Sequence, residues 1–427
     1  MRVRRRIVGG AAAVLFLCAV LSGCGGGGGY TNPPPPPPPV TPPPPPPPVT
    51  PPPPTVLGTG PENCIDGNAG DFACRGISLE KRISLATMEG TAGNDVWGWR
   101  DSQTGMEYAL MGMTTGTAFV DVSEPQSPLF LGRLPTETSN SVWRDIKVYR
   151  DHAYVVADNA GAHGMQVFDL RRLRGLSGPA DWSPDMVYDG FRHSHNLAIN
   201  EDTGFAYAVS TDTCSGGLHI MNIRTPINPM FAGCHEVTRT HDTQCVVYRG
   251  PDEEHRDREI CFSSNENHVE VVDVTDKSAP LTLSSSTYPQ MGYVHQGWLT
   301  EDHRYFLLGD ELDETNFGLT TRTHVFDVSD LDSLEHLYAH DLGTQATDHN
   351  LYVQGNRVFE ANYTSGLRVL EFGDLTTEDI REIAFFDTFP GSNTRSLRGA
   401  WSVYPYLPSG TLLVSDMENG LFVLSMQ

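Results

Sequence analysis

Short stretches in which apolar residues alternate with polar or small ones recur along this chain. Each is closed by an acidic or amide residue and a polar turn. One of them, residues 117–128, reads Thr-Ala-Phe-Val-Asp-Val and then turns through Ser123, Glu124, Pro125 and Pro128. The same phrase returns at 164–170, 217–223, 268–274 and 323–329, and in weaker form at 366–372 and 420–424. The seven copies lie roughly 44–55 residues apart. Alternation with period two predicts β-strands, and a repeat of this length marks a propeller or a solenoid.

Each repeat divides further. Residues 195–200, 205–210, 217–223 and 230–236 read as four strands joined by short turns such as the one at 200–204. Four antiparallel strands per repeat make a propeller blade. First strands are expected to start near Asp95, Asp145, Asn196, Asp242, Gln296, Asn350 and Gly399, which gives seven blades. The last repeat runs out of chain after three strands, and a strand at about 77–85 has no blade of its own. We therefore expect an all-β, seven-bladed propeller of four-stranded antiparallel blades over residues 77–427. The N-terminal strand would complete the last blade and protect two open edges.

The first 60 residues have a different character. Arg2, Arg4, Arg5 and Arg6 precede an apolar run, residues 7–20, that is too short for a typical membrane span. Leu21-Ser22-Gly23-Cys24 reads as a lipobox, so residues 1–23 are expected to be a lipoprotein signal peptide and Cys24 the lipidated residue. Residues 24–60 read as a glycine and proline stalk, with about 22 prolines and Val-Thr spacers in polyproline II reaching roughly 70 Å. Residues 61–76 read as a disulfide-linked lead-in. Six further cysteines fit three bridges in an oxidising compartment. Fifteen pairings are formally open. Cys64–Cys74 is local, Cys245–Cys261 spans adjacent strands of one hairpin, and Cys214–Cys234 remains within one repeat. The formal net charge of -24, more acidic still without the leader arginines, argues against a nucleic-acid partner.

Several longer strings carry a family resemblance: Cys214-Ser-Gly-Gly-Leu-His219, Thr240-His-Asp-Thr-Gln-Cys-Val246, His295-Gln-Gly-Trp298, Gly309-Asp-Glu-Leu-Asp-Glu314 and Trp401-Ser-Val-Tyr-Pro-Tyr406. The repeat resembles the LVIVD repeat, and over roughly 75–427 the chain resembles the choice-of-anchor B family of exported bacterial propellers. The resemblance implies a propeller outside the cytoplasm, here with a lipid anchor. Gly25 after the lipidated cysteine, in place of aspartate, implies sorting to the outer membrane, on its outer or periplasmic side. It brings no activity and no catalytic residues.

Chemistry is expected where the first strands begin, since equivalent positions ring the axis. The residues just before them are Asn94, Arg144, His195, His241, His295, His349 and Arg398. The ends of the second strands contribute Asp158, Asp212, Asn265, Asp310, Asn362 and Asp416. In one reading the ring is scaffold, with pairs inside each blade: Arg144 with Asp158, His195 with Asp212, His295 with Asp310 and Arg398 with Asp416. In another, His195, His241, His295 and His349 hold a divalent metal (Zn, Fe, Cu or Ca), with Asp212, Asn265, Asp310 and Asn362 behind them. In a third, Arg144 and Arg398 bind an anion. The acidic run 310–314 offers oxygen ligands for Ca²⁺, but it lacks the spacing of an EF-hand loop and reads rather as a solvated, carboxylate-rich loop. Nucleophile-elbow, zincin and P-loop motifs are all missing from the sequence. The functional expectation is a binding module for an extracytoplasmic protein, glycan or small ligand, with a metal-dependent enzyme as the alternative.

Overall fold

The computed structural model describes residues 58–236 and 239–427. The leader, Cys24 and nearly all of the stalk lie outside the described residues. Seven antiparallel sheets stand around one axis. Their first strands are Gly93–Arg100, Arg144–Tyr149, Asn196–Asn200, Asp242–Val247, Val294–Leu299, Asn350–Gln354 and Ala400–Tyr404. Each packs beside the next, and the last returns to the first. This is the expected seven-bladed propeller. Every expected start lies within two residues of the observed one.

The ring closes as its alternation foretold. Ile77–Ile83 pairs with Gly420–Met426 and supplies the fourth strand of blade 7. It carries the same kind of register shift, between Leu79 and Lys81, that interrupts the third-to-fourth strand pairing of blades 1 and 3 to 6. A bulge at this place bends each outer strand and increases its twist.

The repeated acidic or amide residue has a local job. The side chains of Asp121, Asp169, Asn222, Asp273 and Asp327 each accept a hydrogen bond from the backbone N–H two residues on, at 2.8–3.1 Å. Such a turn ends the third strand by satisfying a donor that the ladder leaves free. The apolar residue between them, such as Val122 or Val274, is fully buried.

Seven hydrophobic clusters form the core, and each draws on two neighbouring blades. Near the axis, polar side chains stitch blade to blade. Asp95 accepts from Ile146 N at 3.0 Å, Asp145 from Leu197 N at 2.6 Å, Gln244 from Leu299 N at 2.8 Å and Gln296 from Leu351 N at 2.9 Å. Buried ladder groups that face a neighbouring blade thereby find partners.

The three disulfides are Cys64–Cys74, Cys214–Cys234 and Cys245–Cys261. Blade 6 departs from the four-stranded expectation. A hairpin of Asn68–Ala69 and Phe72–Arg75 adds to its outer strand Ile380–Phe386 and makes a six-stranded sheet. The lead-in also bridges the outer strand of blade 7 through Thr59–Arg82 and Glu62–Leu79 pairings. It thus covers exposed edges on two blades. Among the described residues no helix is long and apolar enough to cross a membrane.

Candidate functional site

The four histidines at the first-strand starts of blades 3 to 6 form a crescent of neighbouring rings. Centroids are 4.5 Å apart from His195 to His241, 4.3 Å from His241 to His295 and 4.4 Å from His295 to His349. Their partners are not the ones expected within each blade. His241 Nδ1 lies 2.9 Å from the His295 carbonyl, His295 Nδ1 3.3 Å from the His349 carbonyl, and His349 Nδ1 2.5 Å from the Trp401 carbonyl. His195 Nδ1 meets Asp158 of blade 2 at 3.1 Å. The pairing runs from blade to blade because the start of each first strand lies against its neighbour's first strand.

These contacts decide where the protons sit. A carbonyl only accepts, so Nδ1 of His241, His295 and His349 must carry hydrogen. Burial is the main cause that pushes His295 and His349 down to about 3, with the neighbouring imidazoles adding to it. Burial and the flanking histidines hold His241 well below the usual imidazole range too. The rings are therefore neutral near pH 7, with the lone pair on Nε2. This is the tautomer in which a metal-binding histidine donates Nδ1–H to a carbonyl and offers Nε2.

Glu311, which sequence reasoning had read as part of a solvated loop, faces two of these lone pairs. Its Oε2 is 3.8 Å from His295 Nε2 and its Oε1 is 3.8 Å from His349 Nε2. Tyr363 donates its hydroxyl to Oε1 at 2.7 Å. The Tyr363 backbone has φ +36°, in the left-handed region that a bulky residue rarely adopts, and it is pinned by a bridge to Ala400. The ligating atoms of His295, Glu311 and His349 all lie within 4.8 Å of one another. Ligands at ~2.0–2.2 Å from one ion stand about 3–4 Å apart, so the set fits a transition metal with small adjustment.

Among the described residues, the ligating atoms that converge at this ring are those of His295, Glu311 and His349, and His195 and His241 stand outside that group. Glu311 was obscured because it follows the repeat position rather than occupying it. Its backbone N–H bonds to the Tyr293 carbonyl at 3.1 Å, and the turn after strand Tyr305–Asp310 swings its side chain toward the axis. Gly292 permits this turn. A Cβ there would stand 2.4 Å from Asp313 N and 2.8 Å from Asp310 Oδ1.

The other expected site residues lie elsewhere. Asp212 is exposed and accepts from Arg192 N. Asn265 bonds to His268 and Glu270, and Asn362 to Glu360. Asp310 accepts from Tyr288 Oη, Gly292 N and Tyr293 N at 2.6–2.7 Å. Arg144 is buried against the Met113 carbonyl and His163, and Arg398 pairs with Glu418, so the two do not join in an anion site. Asp416 accepts from Glu418 N and Asn419 N rather than from Arg398. The acidic run is not solvated: Asp310, Asp313 and Glu314 are buried. Burial and the nearby Asp313 carboxylate push Glu314 up to about 9.

The crescent opens into a cavity of about 400 Å³ walled by Trp143, Tyr293, Tyr363 and Trp401, with Arg239 at its rim paired to Glu266 at 3.0 Å. Trp143 and Trp401 pack against His195 and His349 in this wall, while Trp99 is wedged between blades 1 and 2. A larger groove of about 730 Å³ lies along Glu124, Arg357 and Ser425, but it holds neither cluster of ligating side chains found among the described residues.

No family model and no curated protein matches this chain. Solved structures do. A Lactobacillus plantarum protein is 13% identical, with TM-score 0.51 over 76% of this chain and 89% of its own. The β-propeller domain of Cps50 (Swd1) from Myceliophteria thermophila is 11% identical, with TM-score 0.52 over 79% and 98%. Hydrazine synthase from Kuenenia stuttgartiensis is 11% identical, with TM-score 0.52 over 74% and 91%. At such identities the likeness is one of fold, and it agrees with the seven blades: this chain is a β-propeller, a fold that often serves as an interaction module.

Proposed function

We propose that this propeller is a binding module whose recognition element is a divalent transition metal held by His295, His349 and Glu311. The metal would sit on the floor of the aromatic cavity and take a small ligand at an open position. One observation carries the reading: the carbonyl partners of Nδ1 leave Nε2 lone pairs facing a carboxylate. The donor set suits Zn²⁺ or Fe²⁺. The alternative, a metal-dependent enzyme, is favoured by the small number of protein ligands, since structural sites are closed and catalytic ones keep a position open.

The test is elemental analysis of the full chain, purified without a histidine tag, beside a variant with His295→Ala and His349→Ala. The variant is expected to lose about one equivalent of metal and keep its circular dichroism. Equal metal content in both chains would sink the proposal. X-ray absorption then reads the open position. A sphere closed by His241 leaves no place for a ligand on the metal and counts against both readings, whereas an exchangeable water is what both require, and turnover of a bound substrate then separates enzyme from binding module.

We also propose an outer-membrane lipoprotein of the choice-of-anchor B type. The basic leader, Cys24 and the proline stalk support it, as do the disulfides. Cys24→Ser is expected to shift the protein from the detergent-extracted membrane fraction to the soluble periplasm. Unchanged fractionation would count against the anchor.

A further inference from the structure

Behind the histidine crescent, blade 5 buries a second group of ionisable side chains that the channel site does not use. Asp310 ends the strand Tyr305–Asp310, Asp313 and Glu314 open the short helix Asp313–Phe317, and Asp348 directly precedes His349. All four are at most 5% exposed. One of them, Asp313, faces the guanidinium of Arg322, whose Nε donates to Asp313 Oδ2 at 3.0 Å.

The polar atoms are only half used. Asp348 Oδ2 accepts from Asp310 N at 2.9 Å, and Glu314 Oε1 from Asp348 N at 3.3 Å. The second oxygens, Asp313 Oδ1, Glu314 Oε2 and Asp348 Oδ1, have no hydrogen-bond partner. An independent observation comes from the neighbouring strand Arg322–Asp327. His324 is fully buried, its Nδ1 is engaged by His336 Nε2 at 3.1 Å, and its Nε2 has no hydrogen-bond partner. That Nε2 points at Asp313 Oδ2 from 3.7 Å, too far for a hydrogen bond. The ligating atoms of Asp310, Asp313 and His324 lie within 4.8 Å of one another.

Buried carboxylates without partners are expensive, and their charge has to be met by protons or by a cation. A shared proton could satisfy a pair of carboxyls. It would leave the His324 nitrogen facing Asp313 without a bond, and a metal ion satisfies both at once.

We propose that Asp310, Asp313 and His324, with the buried carboxyls of Glu314 and Asp348 beside them, form a second, buried site for a divalent cation that accepts mixed carboxylate and imidazole ligands, of the Mn²⁺ or Zn²⁺ kind. The ion braces the channel site, because the same turn carries Glu311 and Asp348 leads into His349. The inference does not depend on the channel holding a metal.

The experiment starts from the full chain with His295→Ala and His349→Ala, stripped with chelator and titrated separately with Mn²⁺ (read by loss of the free-ion EPR signal) and Zn²⁺ (read by competition with a chromophoric chelator). About one equivalent of at least one ion is expected to bind and raise the thermal midpoint. Glu314→Gln keeps the shape and the Oε1 acceptor, and His324→Gln keeps polarity. Each should weaken binding at least tenfold. Binding of neither ion, or binding that both substitutions leave unchanged, overturns the proposal. In the first case Glu314→Gln would raise the midpoint by removing a crowded acid. Should the doubly substituted background fail to fold, Glu314→Gln alone is read by elemental analysis. It should then bring the otherwise wild-type chain down by one equivalent, and no change overturns the site.

Discussion

Glu311→Gln is expected to weaken Zn²⁺ binding at the channel by about a hundredfold or more, and Tyr363→Phe by about tenfold, with the propeller intact in both. The first change removes the one carboxylate that stands between two imidazole lone pairs. An amide oxygen is a weak neutral ligand, and its NH₂ group can turn onto the same lone pairs and block them. The second change leaves all three ligands in place and removes the 2.7 Å hydrogen bond that orients the carboxylate. Partners behind a metal ligand typically contribute 10–100-fold in affinity, which sets the smaller figure and a floor for the larger one. Competition against a chelator of known affinity gives both constants, with the His295→Ala/His349→Ala chain as the baseline that subtracts any Zn²⁺ bound outside the channel. If Glu311→Gln binds as tightly as the parent, Glu311 is not a ligand and the cluster has to be read as scaffold.

Phe422→Ala is expected to destabilise the propeller by about 3–5 kcal/mol, the usual cost of truncating a buried phenylalanine. Phe422 is fully buried on the third strand of blade 7, next to the closing strand Ile77–Ile83. Its ring meets Phe72 of the lead-in edge-on at 5.2 Å and Phe386 of blade 6 at 5.9 Å. The substitution therefore opens a cavity where the ring of blades is closed by the two ends of the chain and where the Cys64–Cys74 lead-in docks. Phe231, 58% exposed, is the control, and its change to alanine should alter stability by less than about 0.5 kcal/mol. Urea midpoints at constant slope compare the two. A loss under about 1 kcal/mol at Phe422 would mean that the closure is held mainly by backbone pairing.

The two expectations differ in how far they were visible along the chain. Phe422 belongs to an alternating stretch, and alternation with period two already assigns it to a buried face. Glu311 sits in an acidic run whose composition suggests water. Its burial follows from Tyr363 and the two histidines, which belong to other strands and approach only when blades 5, 6 and 7 are assembled. Asp310, Asp313 and His324 come together inside blade 5, where the acidic composition of the run hides that the fold buries it.

What the sequence by itself determined was short-range. Alternation set the strands, the Asp or Asn at each third-strand end set the turn, seven copies set the number of blades, and an unmatched strand at one end with a missing strand at the other set the closure. Each of these rests on residues close in sequence or on simple counting. The tertiary structure alone decided the partners. Nδ1 of His241, His295 and His349 bonds to the next blade instead of to an acid of its own, and this puts the free lone pairs on Nε2. A repeat specifies the inside of a blade, whereas the site is made of contacts between blades, whose geometry depends on how neighbouring twisted sheets pack around the axis.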